Sequence, residues 1–441
     1  MEEIVELFEK LQEELHDKLV NLSDFVIKEE IGKGATGIVY LATSSKTNQL
    51  VAIKESKYQA LNERQLTLYC NEIQVLSKCY NHPFLLKFIG FTNRFPYTII
   101  TEHIPNGSLW NALHYSIEPL TGDQKNKIAI GIAAGMAALH DQNIIHRDLK
   151  SLNVLLDNDY LPVICDFGAS KLLDIDSDEP TSPTNRVGTL AWMAPELFTN
   201  STFSNKVDVY SFAVLLWELE TCQVPFKGVK SEQIPEMVVN QERPPIPTTA
   251  PISLKKLIRL CWHPNPDKRP TFSAILDKFL HKKVYFEGAT DSSIHFIQEK
   301  LENWKRTIDI TLKETRNNSV EHVKQIFLKQ DSKEILQYIE GLNENNCRTF
   351  YSVILEMIES EEATTILLPA LYGLLYIITE NEKCLLQYVE IDDFIKLPFN
   401  RNELKEISLS ILIPIFEKYP NSISLELIYT LKSPRDKPGA K

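Results

Sequence analysis

Residues 144–157 read IIHRDLKSLNVLLD, residues 163–170 read VICDFGAS, and residues 191–197 read AWMAPEL. In the first stretch His146, Arg147, Asp148, Lys150 and Asn153 form a polar knot between apolar flanks. In the second, Asp166 follows an apolar run that reads as a strand. Polar side chains gathered between buried runs cost free energy unless they are paired or liganded. The knot therefore reads as a working site. Asp148 can orient a hydroxyl and take its proton, Lys150 can hold a transferring phosphoryl group, and Asn153 with Asp166 can give oxygen ligands to magnesium. Those groups suffice for phosphoryl transfer, which asks mainly for in-line positioning and neutralisation of developing charge.

Upstream, residues 31–40 read IGKGATGIVY. Gly32, Gly34 and Gly37 lie between two strand-like runs, where glycine lets the main chain turn tightly and set its amides over phosphates. The same spacing occurs in dinucleotide-binding loops, but those run strand, loop, helix, whereas GIVYLA at 37–42 continues as a strand. Val39 would then cap the apolar side of a bound base. VAIK at 51–54 puts Lys54 inside an otherwise apolar strand, where an ammonium needs an anion. A nucleotide phosphate and a carboxylate from the following helix are both available. Among the carboxylates Glu72 is selected, because Tyr69, Ile73 and Leu76 mark the face turned to the sheet. Glu63 stands too near the start of the helix to reach.

In this order and company the motifs resemble those of the eukaryotic protein kinases over about 25–285. The resemblance implies an α+β, bilobal fold, with a small β-rich N-lobe and a large helical C-lobe, and ATP with Mg2+ as cofactors in the cleft. It implies that Ile31, Gly32, Gly34, Gly37, Val39 and Ala52 surround the nucleotide, that Lys54 contacts the α- and β-phosphates and pairs with Glu72, and that Thr101 is the gatekeeper. Glu102 to Ile104 would be the hinge whose backbone reads the base. By the same resemblance Asp148 is the catalytic base with Lys150 beside it, Asn153 and Asp166 hold magnesium, and Glu196 pairs with Arg269.

The lysine two residues after Asp148 is similar to serine/threonine kinases, while DVYSFAVLLWEL at 208–219 and CWHPNPDKRPTF at 261–272 resemble tyrosine kinases. That mixture resembles the tyrosine-kinase-like group of serine/threonine kinases. It implies that Thr189, in GTLAW, packs near Asp148 and favours a serine or threonine hydroxyl, with dual specificity left open. A scaffold pseudokinase is the rival reading, against which Lys54, Asp148, Asn153 and Asp166 are all present. The 25-residue segment 169–193 holds Ser177, Thr181, Ser182, Thr184 and Thr189 and resembles an activation loop. A phosphate there, with Thr184 the first candidate, would pair with Arg147.

Outward from this core the chain is less specific. It has 441 residues, 43% of them hydrophobic, which is material for a large core. The formal net charge of -12 argues against a protein whose main work is gripping nucleic acid or an anionic membrane. Seven cysteines, Cys70, Cys79, Cys165, Cys222, Cys261, Cys347 and Cys384, are scattered without a CxxC, so neither a disulfide framework nor a zinc cluster is indicated. The acidic N-terminus lacks the apolar core of a signal peptide, and the most apolar window, 364–379, is too short for a membrane span. A cytoplasmic location is expected.

Residues 4–22 carry apolar side chains at helical spacing and predict an amphipathic helix within 1–22, packed on the protein's own body or on a partner. From 286 to 431 successive amphipathic segments predict an all-α domain, a short armadillo- or HEAT-like α-solenoid or an irregular helical domain, with partial disorder as the remaining alternative. A flexible tail is expected over 432–441. Protein substrates are implied by the resemblance, and the C-terminal helices would offer a surface for a further protein partner.

Overall fold

The computed structural model describes residues 2–307, apart from 35–36, 80–81, 173–188 and 200–202. The chain divides into two units, Met1–Trp304 and Lys305–Lys441, and nearly all the described residues belong to the first. Most of the helical domain expected over 286–431, the tail, and the candidate phosphosites Ser177 to Thr184 lie outside the described residues.

The first lobe is built on five antiparallel strands, β1 (Phe25–Lys33), β2 (Gly37–Ser44), β3 (Leu50–Ser56), β4 (Phe88–Phe91) and β5 (Thr98–Glu102), in the order β1-β2-β3-β5-β4. Side chains alternate between the faces of a strand, and register then decides what meets. Val39 pairs with Lys54, Leu41 with Ala52, and Ala52 with Thr101, so Val39, Ala52, Lys54 and Thr101 share one face. The other face buries Ala42, Val51, Ile53 and Ile100 beneath Val20, Leu22 and Phe25. Helix α2 (Glu63–Lys78) is started by a capping box: Asn62 Oδ1 accepts from the Gln65 amide and Gln65 Oε1 accepts from the Asn62 amide, both at 3.0 Å.

Helix α1 (Glu2–Glu14) precedes the sheet and buries Ile4, Phe8 and Leu11. It is shorter than the spacing over 4–22 predicts. After Glu14 the chain makes a 3-10 turn at His16–Lys18, and Val20 donates to the Phe91 carbonyl at 3.0 Å. Pairing with the open edge of β4 replaces the last helical hydrogen bonds, which is a tertiary contact that no local periodicity announces.

The second lobe is mainly helical: α3 (Leu109–His114), α4 (Gly122–Asp141), α5 (Lys206–Thr221), α6 (Ile234–Val239), α7 (Ile252–Cys261) and α8 (Phe272–Leu280), followed by α9 at 291–307. It also carries two short antiparallel pairs, β6 (Ile144–Ile145) with β9 (Lys171–Leu172), and the hairpin of β7 (Val154–Leu156) with β8 (Pro162–Ile164). Helix α4 approaches β8 so closely that a Cβ on Gly131 would stand 2.6 Å from Pro162 Cγ, which is why glycine occupies that turn of the helix. Helix α5 is buried on every side from Val207 to Leu219, its apolar sequence interrupted by Asp208 and Glu218. The architecture is the bilobal α+β fold that the motifs imply. Among the described residues no helix is long and apolar enough to cross a membrane.

His82, between α2 and β4, is buried with its ring 4.5 Å from that of Trp304 on α9, and its Nδ1 accepts from the Phe84 amide at 3.3 Å. Burial pushes its imidazole down to about 4. The folded pKa lies below the unfolded one, so the stabilisation is present above the unfolded value and is lost as pH falls toward the folded one. Between pH 7 and pH 5 the stability of His82→Gln should gain about 2 kcal/mol on that of the parent chain, as measured by denaturant unfolding at the two pH values. An unchanged difference would contradict the assignment of a neutral buried imidazole.

Candidate active site

Lys54 stands mid-strand on β3, on the face it shares with Val39, Ala52 and Thr101. Its Nζ donates to Glu72 Oε1 at 2.6 Å and Oε2 at 2.9 Å, and to Asp166 Oδ1 at 3.3 Å. Glu72 comes from the sheet-facing side of α2, whose buried neighbours include Tyr69, Ile73 and Leu76. Burial works to lower the Lys54 ammonium, but the two carboxylates outweigh it and hold its pKa above the ordinary lysine value. The same ammonium holds Asp166 below the usual carboxylate range. Both groups are therefore charged at neutral pH, and the cluster offers a fixed cation beside an ionised acid.

The rest of the cleft wall follows from the same strands. Thr101 is buried and its Oγ1 donates to the Glu102 carbonyl at 3.3 Å. Glu102 is fixed by the Lys87 amide, which donates to its Oε1 at 2.9 Å, and its own amide donates to the Lys87 carbonyl. Ile104 lies half-buried just after β5, and Ile31 of β1 is exposed near Gly32, which pairs with Val39. Gly34 donates through its amide to the Gly37 carbonyl at 2.9 Å, closing the glycine turn.

The polar knot lies between β6 and β7 and is held from beneath by Asp208 of α5. That fully buried carboxylate accepts from the main-chain amides of His146 at 2.9 Å and Arg147 at 2.8 Å, and from His140 Nε2 at 2.9 Å. Arg147 adopts a φ of +63°, a left-handed conformation costing about 1–3 kcal/mol for a non-glycine residue, which charge-assisted hydrogen bonds of this kind offset. His146 donates through Nε2 to the Cys165 carbonyl at 3.1 Å and accepts the Asp148 amide at Nδ1. Arg147 Nε donates to the Ala169 carbonyl at 2.6 Å.

Asp148 Oδ2 accepts from Lys150 Nζ and from Asn153 Nδ2, each at 2.9 Å. Its Oδ1 is buried and has no hydrogen-bond partner among the described residues. A buried carboxylate lone pair without a donor is costly, and a substrate hydroxyl would satisfy it. Lys150 Nζ also donates to Thr189 Oγ1 at 2.9 Å, so the lysine links the Asp148 carboxylate to that threonine.

Asn153 and Asp166 close the open end of the β7–β8 hairpin. The Cys165 amide donates to the Asn153 carbonyl at 3.0 Å, which keeps the two segments side by side, and Asp166 is turned by a φ of +62°. Asn153 uses its Nδ2 on Asp148, and no donor reaches its Oδ1 among the described residues. With the ionised, half-exposed Asp166 it forms a pair of hard oxygen donors. No group of three or more His, Cys, Asp or Glu side chains suited to a metal occurs among the described residues. A pair of oxygens fits magnesium, which keeps waters and phosphate oxygens as its other ligands. Burial pushes the neighbouring Cys165 thiol up, so it fills space as a neutral group.

Below the knot, Glu196 and Arg269 form a bidentate buried pair, with Nη1 to Oε1 at 2.6 Å and Nη2 to Oε2 at 2.9 Å. Two site-building carboxylates were not singled out for a role by sequence reasoning. One is Asp208. The other is Glu218, fully buried, which accepts from Ser151 Oγ at 2.7 Å, Trp192 Nε1 at 3.2 Å and His114 Nε2 at 2.9 Å, joining the knot to the Trp192 turn. The signal for both was an acid inside the apolar run of α5, where an unpaired charge could not persist.

A family model described as protein tyrosine and serine/threonine kinase matches residues 25–279. A probable serine/threonine-protein kinase of Dictyostelium discoideum is 38% identical over 276 residues, covering 62% of this chain and 30% of that protein. The serine/threonine-protein kinase TNNI3K of Homo sapiens is 37% identical over 269 residues, covering 59% of this chain and 31% of that protein. The serine/threonine/tyrosine-protein kinase HT1 of Arabidopsis thaliana is 35% identical over 290 residues, covering 63% of this chain and 72% of that protein. The chain spans under a third of the length of the first two of these relatives.

Proposed function

The chain belongs to the protein tyrosine and serine/threonine kinase family, and from that membership we propose that it transfers the γ-phosphoryl group of ATP to serine and threonine hydroxyls of proteins. The observation that carries this reading is the contact of Lys150 Nζ with both Asp148 Oδ2 and Thr189 Oγ1 at 2.9 Å. A cation beside the carboxylate can steady the incoming phosphoryl oxygens, and Thr189 narrows the approach to a short aliphatic hydroxyl. The combination of that lysine with the α5 and 261–272 motifs supports placement in the tyrosine-kinase-like group.

In the mechanism we assign, Ile31, Val39, Ala52 and Thr101 flank the base, and the backbone of Glu102 to Ile104 reads its edge. Gly32, Gly34 and Gly37 lie over the phosphates, and Lys54, held by Glu72, binds the α- and β-phosphate oxygens. Asn153 and Asp166 would hold magnesium, which when bound would offset negative charge on the phosphates. The substrate hydroxyl donates to Asp148 Oδ1. Its oxygen bonds to the γ-phosphorus as the bond from phosphorus to the β–γ bridging oxygen breaks, ADP carries away that electron pair, and the hydroxyl proton passes to Asp148. Lys150 offsets the charge on the moving phosphoryl oxygens.

Incubation of the full chain with Mg-ATP and a generic protein substrate, followed by phosphoamino-acid analysis, tests the reading. Phosphoserine and phosphothreonine are expected. Phosphotyrosine as the main product would overturn the assignment to Thr189 and Lys150.

A further inference from the structure

Helix α1 packs on α2, and its buried residues belong to the same core cluster as Leu66, Tyr69, Cys70 and Ile73 of α2. The Phe8 ring meets the Tyr69 ring edge-on, with centroids 6.1 Å apart and planes at 65°. Tyr69 in turn packs edge-on against Tyr97 at 5.8 Å, and its hydroxyl reaches the carbonyls of Thr92 at 2.7 Å and Thr98 at 2.9 Å. Tyr69 is thus tied to the β4–β5 turn on one side and backed by Phe8 on the other, one helical turn from Glu72.

The chain after this contact is anchored to the strands and the turn that joins them. Gln12 Oε1 accepts from Asn93 Nδ2 at 2.8 Å, and the Val20 amide donates to the Phe91 carbonyl. Residues 18–20 lie flat on β4: a Cβ on Gly90 would stand 2.5 Å from Val20 Cγ1 and 2.6 Å from the Lys18 carbonyl oxygen. Only glycine permits that approach. Helix α1 is therefore fixed to the sheet at its C-terminal end and pressed on α2 along its length.

We propose that α1 is a built-in brace for α2, with Phe8 and Leu11 as positioning residues that act through Tyr69 to hold Glu72 against Lys54. The pair needs α2 at one distance from β3, since the Lys54 ammonium meets Glu72 at 2.6 Å and an ion pair of this kind loses its geometry when one element shifts by about 1 Å. Without α1 the Tyr69 ring would lose its packing on Phe8 and keep only its contacts with Tyr97, Thr92 and Thr98. The brace rests on the kinase reading for its effect on rate, and on the α1–α2 packing alone for its effect on α2.

The test compares full-length Phe8→Ala, the milder Phe8→Leu, the exposed α1 control Glu6→Ala, and Leu276→Ala on α8 as a destabilised control remote from α2. Hydrogen exchange is read across α2 and α4, and kcat and KM for ATP are read in parallel. Phe8→Ala is expected to speed exchange in α2 but not α4, and to lower kcat/KM for ATP by about tenfold to a hundredfold. Phe8→Leu should recover most of both losses, and Glu6→Ala and Leu276→Ala should leave α2 exchange unchanged. Unaltered α2 exchange in Phe8→Ala, or equal acceleration in Leu276→Ala, would overturn the brace. Absence of transfer by the parent chain would instead strike the functional reading, and the exchange comparison would still decide the brace.

Discussion

Asp148→Asn should slow phosphoryl transfer by about a hundredfold to ten-thousandfold while nucleotide affinity stays within about twofold. The expectation follows from how the two carboxylate oxygens are used. Oδ2 is committed to Lys150 and Asn153, and Oδ1 is the buried acceptor left for a substrate hydroxyl. An amide with its nitrogen at the Oδ1 position offers a donor where an acceptor is needed. With the nitrogen at the other position it confronts two donors, one an ammonium. Either orientation removes the base, and neither touches Lys54, Glu72 or the glycine turn. Separate measurement of kcat and of Mg-ATP affinity checks this, and a variant retaining more than about a tenth of the parent rate would contradict the role of Asp148.

Arg269→Ala should cost about 3–5 kcal/mol of stability, because it leaves a buried carboxylate without its cation. Arg269 is 2% exposed and Glu196 is 9% exposed. The guanidinium also donates to the main-chain carbonyls of His263 at 2.8 Å, Lys206 at 3.0 Å and Pro264 at 3.4 Å, so its removal takes a donor from each of them as well as from Glu196. Glu196→Ala in the Arg269→Ala background should restore part of the loss, since the uncompensated charge is then gone. Denaturant unfolding of the single and double variants measures both effects. A single-variant loss below about 1 kcal/mol would mean that the pair is held in water rather than in the core.

The bilobal α+β fold was legible through the order of the motifs, and the sequence restricted the candidate site for a physical reason. Polar residues wedged between apolar runs, such as His146 to Asn153, have few ways to be satisfied, so their types and spacing restrict the chemistry. Glu72 was found because the apolar face of α2 reports its orientation. Asp208 and Glu218 carry the same kind of signal, but the identity of their partners depends on tertiary contact with Ser151, Trp192 and the main chain of His146 and Arg147, which lie far away in sequence. The early end of α1 at Glu14 was illegible because the hydrogen bond that replaces the helix is made by Phe91.

The most direct test of the account is transfer of the γ-phosphoryl group from Mg-ATP by the full chain, to a protein substrate and to itself, run beside Asp166→Asn. Label on serine and threonine that disappears in the variant is expected, because the Asp166 carboxylate, just after β8, is one of the two side chains proposed to hold the metal. Equal labelling by parent and variant, or Mg-ATP binding with no transfer by the parent under any activating treatment, would contradict it.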